Sequence, residues 1–332
     1  MADLKAVAKR AGVSRATAAR AFASPEQVRV STREQVLAAA QELGFRPNRL
    51  GRQLRRKTTD LIGVLVPNLL NPIFAEQFRA MECAARKHGY NLLLATTDYD
   101  PDREAAVVEE LLRQRVDGLV LTVADADRST VLQSLQHEAT PFVLAYNQPR
   151  EPYGAVSVDN RQGMFMATNH LLDLGHRRIG MVTGPVTQSD RARLRYAGYC
   201  QAIQARGETA LPVIEMPSHV DVSFAALRPW LDNLRPPTAV LCSNDLLAIN
   251  LICALLREGL RVPQDISVMG FDGIALGEQL YPSLCSVVQP IEALAWATIT
   301  KLLAQIAGAT PTSYCLPCRI RPGESVQPLK EQ

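Results

Sequence analysis

No stretch of the 332 residues is apolar for long enough to span a bilayer, and no N-terminal apolar core runs into a small-residue cleavage site. A spanning helix and a secretory leader are both unexpected, and a cytoplasmic chain is the expectation. No GxGxxG and no Walker-type P-loop follows any strand-like run, so a nucleotide cofactor has no footing in the sequence. HExxH and GxSxG are missing too, and the five histidines stand apart. With those signatures gone, no enzyme, no cofactor and no metal site is expected. A Ser/His/Asp set or paired carboxylates assembled only by the fold would leave no local trace. Cysteine is odd in number, seven in all, and Cys83, Cys200, Cys242, Cys253 and Cys285 lie among hydrophobic neighbours. That suits free thiols in a reducing compartment. The other two form Cys315-Leu316-Pro317-Cys318. A redox CxxC needs its first thiol at a helix N-terminus. These fall in what reads as one terminal strand, Tyr314–Ile320, and no second CxxC completes a zinc site. Lysine is scarce, six against thirty arginines, a bias to which no chemistry is assigned.

What the chain does have is the composition of a globular protein, 47% hydrophobic and 21% charged, with length for two or three domains. Its net charge of +3 conceals a split: residues 1–57 carry 13 Lys and Arg against 4 Asp and Glu, and the remainder carries 23 against 29. A basic head on an acidic body is the charge pattern of a head that binds nucleic acid.

The head begins with Leu4, Val7, Ala8 and Ala11 at helical spacing. Gly12 supplies a turn residue tolerant of positive φ, and Ser14 is a good N-cap for a second helix from Arg15 to about Phe22. Ala16, Thr17, Ala18 and Ala19 keep that helix slim, while Arg15 and Arg20 charge it. A slim, basic second helix after a Gly-containing turn can enter a major groove, although αα-hairpins occur in many helical proteins. A third helix is expected from Ser31 as N-cap with Glu34 at the capping-box spacing. Val36, Leu37, Ala40 and Leu43 form its buried stripe and Gly44 stops it. Arg49–Lys57 is helix-like but almost coreless. Leu50 and Leu54 share a face, Gly51 interrupts, and nine residues are too few for a stable isolated helix.

Leu4, Val7-Ala8, Ala11-Gly12-Val13-Ser14, Thr17, Arg20, Val30-Ser31, Val36, Ala39-Ala40, Leu43-Gly44-Phe45 and Pro47-Asn48 together resemble the DNA-binding headpiece and hinge of the lac repressor (LacI/GalR) family. The chain departs from that pattern at Ala18-Ala19, where Val-Ser is usual, and at Gly51, where Ala is. The resemblance implies that Arg15, Ala16 and Arg20 read bases. Ser14, Thr17, Asn48, Arg49 and Arg52 complete the DNA-facing set, and Leu54 is the wedge that paired hinge helices push into the minor groove.

From Leu61 onward strands and helices alternate. Strands read at 61–66, 91–95, 118–122 and 142–145, then at 179–182, 213–216, 239–242 and 267–271. Amphipathic helices lie between them, among them Leu194–Ala205 and Phe224–Leu234. Such alternation implies parallel sheets covered on both faces, in two successive lobes. Ligands in open parallel sheets sit beyond the carboxyl ends of strands. Asn68, Asn71, Asp98, Asp125, Tyr146, Asn147, Asn244, Asp245 and Asp272 stand there, at positions where such residues also cap helices.

Asn71-Pro72-Ile73-Phe74, Val116–Leu119, Val158-Asp159-Asn160, His170–Ile179 and Asp265–Asp272 resemble the effector-binding body of the same family. That body is similar to periplasmic sugar-binding proteins, with three crossovers between lobes, placed near Asp159–Arg161, Val287–Pro290 and Arg319–Pro322. The resemblance carries effector contacts to Ile73, Phe74, Arg195, Asn244 and Asp272. Tyr146 replaces the usual acidic residue of strand four, with Asn147 beside it, and Arg191 and Arg193 stand near Arg195; Tyr146, Asn147 and Arg191 complete eight candidate effector residues.

The expected fold is therefore α/β, a helix-turn-helix headpiece (1–46) and hinge helix (47–57) followed by a two-lobed, periplasmic-binding-protein-like body (58–332). The N-lobe takes about 60–159 and 290–319, and the C-lobe about 161–287 and 321–332. The resemblance implies a homodimer, with a tetramer left open, binding double-stranded pseudo-palindromic operator DNA under control of a small polyhydroxylated effector. The arginines shift the expected charge of the cleft toward positive, which favours a sugar acid or sugar phosphate over a neutral sugar. A corepressor-dependent regulator with a purine-like effector is the alternative, and a solute receptor without regulatory role a further one.

Overall fold

A computed structural model describes residues 3–45, 58–150 and 152–329, and the chain divides into two compact units, 1–59 and 60–332. In the first, α1 (Leu4–Arg10) starts at Asp3, whose carboxylate accepts from the Ala6 amide at 2.7 Å. Gly12 turns the chain at φ 66°, the left-handed region that a Cβ disfavours. α2 (Arg15–Ala23) starts at Ser14, whose hydroxyl accepts from the Thr17 amide at 3.1 Å. α3 (Val30–Glu42) is followed by Gly44 at φ 60°. Val7, Ala8, Ala18, Ala21, Val36, Ala39 and Ala40 are buried together, and the rings of Phe22 and Phe45 pack against them 5.7 Å apart.

Two expectations fail in α3. The helix starts one residue before Ser31, with Arg29 as the cap residue and no side-chain capping bond, so Ser31 and Glu34 form no capping box. Leu37 is 45% exposed while Ala39 is buried. The buried stripe runs 36, 39, 40, 43, the i, i+3, i+4, i+7 pattern, and Leu37 falls a hundred degrees off it. Residues 46–57, and with them the expected hinge helix and Asn48, Arg49, Arg52 and Leu54, lie outside the described residues.

The second unit carries two six-stranded sheets. β1 (Leu61–Val66), β2 (Asn91–Thr96), β3 (Gly118–Leu121), β4 (Phe142–Ala145), β5 (Ala155–Val158) and β11 (Tyr314–Leu316) lie in the order β11-β5-β4-β3-β1-β2, every pair parallel. β6 (Ile179–Thr183), β7 (Ile214–Glu215), β8 (Ala239–Cys242), β9 (Ser267–Asp272), β10 (Cys285–Val288) and β12 (Arg319–Arg321) lie in the order β12-β10-β9-β8-β6-β7, with β12 antiparallel to β10. The covering helices are α4 (Pro72–Lys87), α5 (Pro101–Arg113), α6 (Thr130–His137), α7 (Asn160–Asp173), α8 (Asp190–Ala205), α9 (Phe224–Leu231), α10 (Asp245–Arg257), the single turn α11 (Leu276–Gln279) and α12 (Ile291–Ile306). Burial on both faces explains the unbroken apolar runs of β1, β3, β4 and β8. Pro72 and Pro101 each sit in a first turn, where the missing N–H costs nothing, behind the side-chain caps Asn71 and Asp100.

The chain passes between sheets three times. It leaves β5 for α7, which packs on α8 and β10, and leaves β10 for α12, which packs on α4, β3, β4 and β5. The third passage is Pro317-Cys318, between β11 of one sheet and β12 of the other, two residues ahead of Arg319–Pro322. The single strand expected over Tyr314–Ile320 is thus two, because Pro317 has no amide to donate to a ladder. Cys315 lies within β11 and Cys318 within that passage, both as free thiols.

Candidate functional site

In the first unit, Ser14, Arg15, Ala16 and Arg20 are exposed on and beside α2, and Thr17 is half-buried. Ser14 and Thr17 hydroxyls lie 2.9 Å apart, so both are engaged in fixing the start of the helix. The two arginines are the charged groups that α2 offers to solvent.

In the second unit the carboxyl ends of the two sheets face one cleft. Asn71, Ile73, Phe74, Tyr99 and Tyr146 enter from the first lobe. Arg191, Arg195, His219, Ser243, Asn244 and Asp272 enter from the second, and Gln289 from a crossover. The space between them, including the part that opens to solvent, is about 390 Å³. Tyr99, Tyr146 and Asp272 hold φ of 63°, 70° and 122°, values that cost a Cβ-bearing residue about 1–3 kcal/mol and recur at ligand sites.

Asp272, at the end of β9, is 2% exposed. It accepts from Arg195 Nη1 at 3.2 Å, from Gln289 Nε2 at 2.8 Å and from Asn71 Nδ2 at 3.2 Å. The Asn71 bond joins the lobes. Arg195 also donates from Nε to Asn160 at 2.8 Å and to the Ser243 carbonyl, with its guanidinium 3.7 Å over the Phe271 ring. Gly198, one helical turn on, makes this approach feasible. A Cβ there would lie 2.1 Å from the Arg161 carbonyl, so α7 and α8 touch backbone to backbone. Burial raises the Asp272 carboxyl, against the pull of Arg195, and Asp245 beneath it is pushed up to about 7 by burial first and Asp272 second.

The sequence places a helix near Leu194–Ala205, with Arg191 and Arg193 as charges at its start that shift the cleft toward positive. α8 starts at Asp190 instead, and the difference decides the electrostatics. Arg191 Nη1 bonds Asp190 at 3.1 Å and the Val123 carbonyl of the other lobe at 2.8 Å. Asp190 in turn donates its amide to the Ala124 carbonyl, and its carboxylate accepts from the Ala126 amide at 3.2 Å and from Asn147 at 2.8 Å. Arg193 pairs with Asp125 at 3.0 Å. The expected surplus of positive charge is absent, since each of these arginines and Arg195 already faces a carboxylate.

Seven of the eight expected effector residues line the cleft; Asn147 does not. Its amide is consumed by both backbone groups of Val123 and by Asp190, so it fastens the β3 exit to α8. Asn244 lines the cleft with its side chain committed, capping Leu247 and donating to the His219 carbonyl. Of the other strand-end residues, Asp98 points outward to Arg103 and Asn68 closes its own turn. Tyr99, His219, Gln289 and Asp190 were not anticipated. His219 lies in an irregular stretch after the two-residue β7, seated on Gly184, where a Cβ would lie 2.4 Å from its Nδ1. Its ring is 4.3 Å from that of Tyr99 across the cleft. Burial, then Arg191 and Arg195, lower its pKa to about 3, so the ring is neutral.

Five buried polar atoms of this lining have no hydrogen-bond partner among the described residues: Tyr146 Oη, Arg191 Nη2, His219 Nε2, Ser243 Oγ and Gln289 Oε1. Burial raises the Tyr99 phenol above its ordinary value, against the pull of the Arg191 guanidinium. Burial, then Asp272 and Glu76, hold the Tyr146 phenol well above its ordinary value, so its hydroxyl is a donor. Ser243 and His219 form no nucleophile–base pair, since neither bonds the other. No three His, Cys, Asp or Glu are grouped as metal ligands among the described residues, and no helix there is long and apolar enough to cross a membrane.

Two family models match the chain. Residues 3–48 match that of the bacterial regulatory proteins of the lacI family, and residues 59–320 that of the periplasmic binding proteins and sugar binding domain of the LacI family. The HTH-type transcriptional repressor CytR of Escherichia coli is 32% identical over 312 residues, 92% of this chain and 90% of the relative. The ribose operon repressor of Halalkalibacterium halodurans is 33% identical over 310 residues, 92% and 91% of the two. A solved lac repressor dimer, bound to operator and the anti-inducer ONPF, superposes with a TM-score of 0.86 at 27% identity, covering 98% of this chain and 99% of that one.

Proposed function

The chain belongs to the lacI family of bacterial regulatory proteins, and from that premise we propose that it is a dimeric, operator-binding repressor controlled by a small polyhydroxylated effector held between its lobes. The observation that carries the effector reading is the set of five unpartnered polar atoms around one cleft. A buried donor or acceptor left unmade costs about 1–3 kcal/mol, so a ligand rich in hydroxyls gains by satisfying several at once. Control of DNA affinity follows from linkage. A ligand that binds one arrangement of the lobes better shifts the population toward it, and whatever operator affinity differs between arrangements shifts too. Arg15, Ala16 and Arg20 read bases in the major groove, while Asn48, Arg49, Arg52 and Leu54 complete the contact from the hinge.

The relatives support this reading. One is a ribose operon repressor, and the solved dimer carries operator and a small ligand together. A planar, purine-like corepressor is the second reading, favoured by the facing rings of Tyr99 and His219. Thermal-shift screening of the full-length protein against sugars, polyols and purine bases tests both. A ligand at about a hundred times its dissociation constant stabilises by roughly 2.7 kcal/mol. Stabilisation by sugars that disappears in Arg195→Ala supports the first reading, and stabilisation by purines alone supports the second.

A further inference from the structure

Resting on the cleft reading above, we infer that Asp190 is a specificity-determining residue: by neutralising Arg191 it makes the cleft select an uncharged polyhydroxylated effector over the corresponding acid or phosphate. Arg191 alone, aimed into a buried cleft, would be an anion site. It is not alone. Its guanidinium is 3.1 Å from the Asp190 carboxylate, and both side chains are under a tenth exposed. Arg195 is matched in the same way by Asp272 at 3.2 Å, and Arg193 by Asp125 at 3.0 Å. Beneath them lie two more buried carboxylates, Glu104 and Asp245. An anionic effector would therefore add net negative charge to a site whose positive charges are already balanced. In a buried environment that repulsion is weakly screened.

The remaining hydrogen-bonding capacity points the same way. Gln289 donates Nε2 to Asp272, which fixes its Oε1 toward the cleft as an acceptor without a donor. A carboxylate or phosphate has no proton to offer it, whereas a hydroxyl does. Tyr146 Oη and Ser243 Oγ can each donate or accept, and Arg191 Nη2 donates. Hydroxyl groups, which do both, match this mixture of donors and acceptors. Carboxylates raised by burial, as those of Asp190 and Asp272 are, show how the site already treats negative charge.

Asp190 also fastens the lobes, through Ala126 and Asn147, so its loss alters stability whatever its role in selection. The discriminating readout is a ratio: the affinity of a charged ligand over that of its neutral counterpart. Full-length protein is titrated by calorimetry with matched pairs: galactose and galacturonate, glucose and glucose 6-phosphate, ribose and ribose 5-phosphate. In the wild type the neutral member of a binding pair is the tighter. In Asp190→Asn the charged member gains on the order of tenfold relative to the neutral one, a lower bound for one uncompensated charge a few Å away in a partly buried site. Asp272→Asn, which uncovers Arg195, moves the ratio in the same direction and serves if Asp190→Asn does not fold. A wild type that binds the charged member more tightly overturns the inference, and so does a ratio unchanged in both variants. Sugar binding that survives Tyr146→Phe combined with Gln289→Leu overturns the cleft reading itself, whatever the charge ratio.

Discussion

Arg20 on α2 and Arg195 on α8 are the same side chain in opposite surroundings. The first is exposed on a short helix, free to meet whatever the helix approaches. The second is 6% exposed, bonded to Asn160, Asp272 and a backbone carbonyl, and stacked on Phe271. A surface reader can contribute to function while contributing almost nothing to folding, because water satisfies it when the partner is gone. A cleft arginine cannot separate the two, since the network that aims it is also part of the core.

That contrast is broken or sharpened most strongly at Arg195. Arg195→Ala leaves Asp272 buried without its ion partner, so it should lower stability by about 3–5 kcal/mol and abolish effector stabilisation. Urea unfolding measures the first and thermal shift the second; a stable variant that still binds would break the comparison.

Asp245 offers a pH-dependent version. Its folded-state pKa of about 7 stands above the ordinary 3.8, so the folded protein holds this proton where the unfolded chain has released it. Its contribution is favourable at low pH and is lost as pH rises toward 7. Asp245→Asn should therefore gain on the wild type between pH 5 and 7, by at most about 1.4 kcal/mol per pH unit, and level off above. His219, lowered to about 3, has the opposite sign. Its contribution is present above its ordinary 6.5 and is lost as pH falls toward 3, so His219→Asn should gain on the wild type as the medium is acidified. Melting curves of the three proteins from pH 4 to 8 check both slopes.

At Arg20 the effect moves to DNA. Arg20→Ala should relax base preference by roughly 1–3 kcal/mol at the positions it reads and leave the melting temperature of the body unchanged. Selection of duplexes from random sequence, before and after the change, measures this. The smallest effect is expected where an exposed pair only decorates the head. Arg10 and Glu42 approach to 2.8 Å with both side chains more than half exposed, and Arg10→Ala should cost under about 1 kcal/mol in urea unfolding.

The same contrast explains what could be read from the chain. The head was legible because its signals are local: Gly12, Ser14 and the spacing of Val7, Ala8 and Ala11 act within one or two turns. Its errors, the Ser31 cap and the Leu37 stripe, were shifts of two residues, to Arg29 and Ala39. Eight strands of the body were equally visible, since buried parallel strands announce themselves as apolar runs, whereas β5 and β10, each beside a crossover, were not read as strands. α12 shows its period in Leu294, Ala295, Thr298, Ile299 and Leu302. The cleft was legible only at strand ends. Arg191 was a candidate from its place beside Arg195, but its partner Asp190 carries no signal until α8 and the β3 exit are brought together. His219 and Gln289 sit in irregular segments where no periodicity marks them. Their roles exist only in the assembled tertiary structure.

The central claim is that one ligand site in the body sets the affinity of the head for DNA. Fluorescence anisotropy of the full-length protein on a duplex selected from random sequence, with and without a stabilising neutral sugar, tests it most directly. The dissociation constant should change by about tenfold or more with the sugar, a coupling of 1.4 kcal/mol or more, and should not change in Arg195→Ala. An operator affinity indifferent to a sugar that demonstrably occupies the cleft would contradict it.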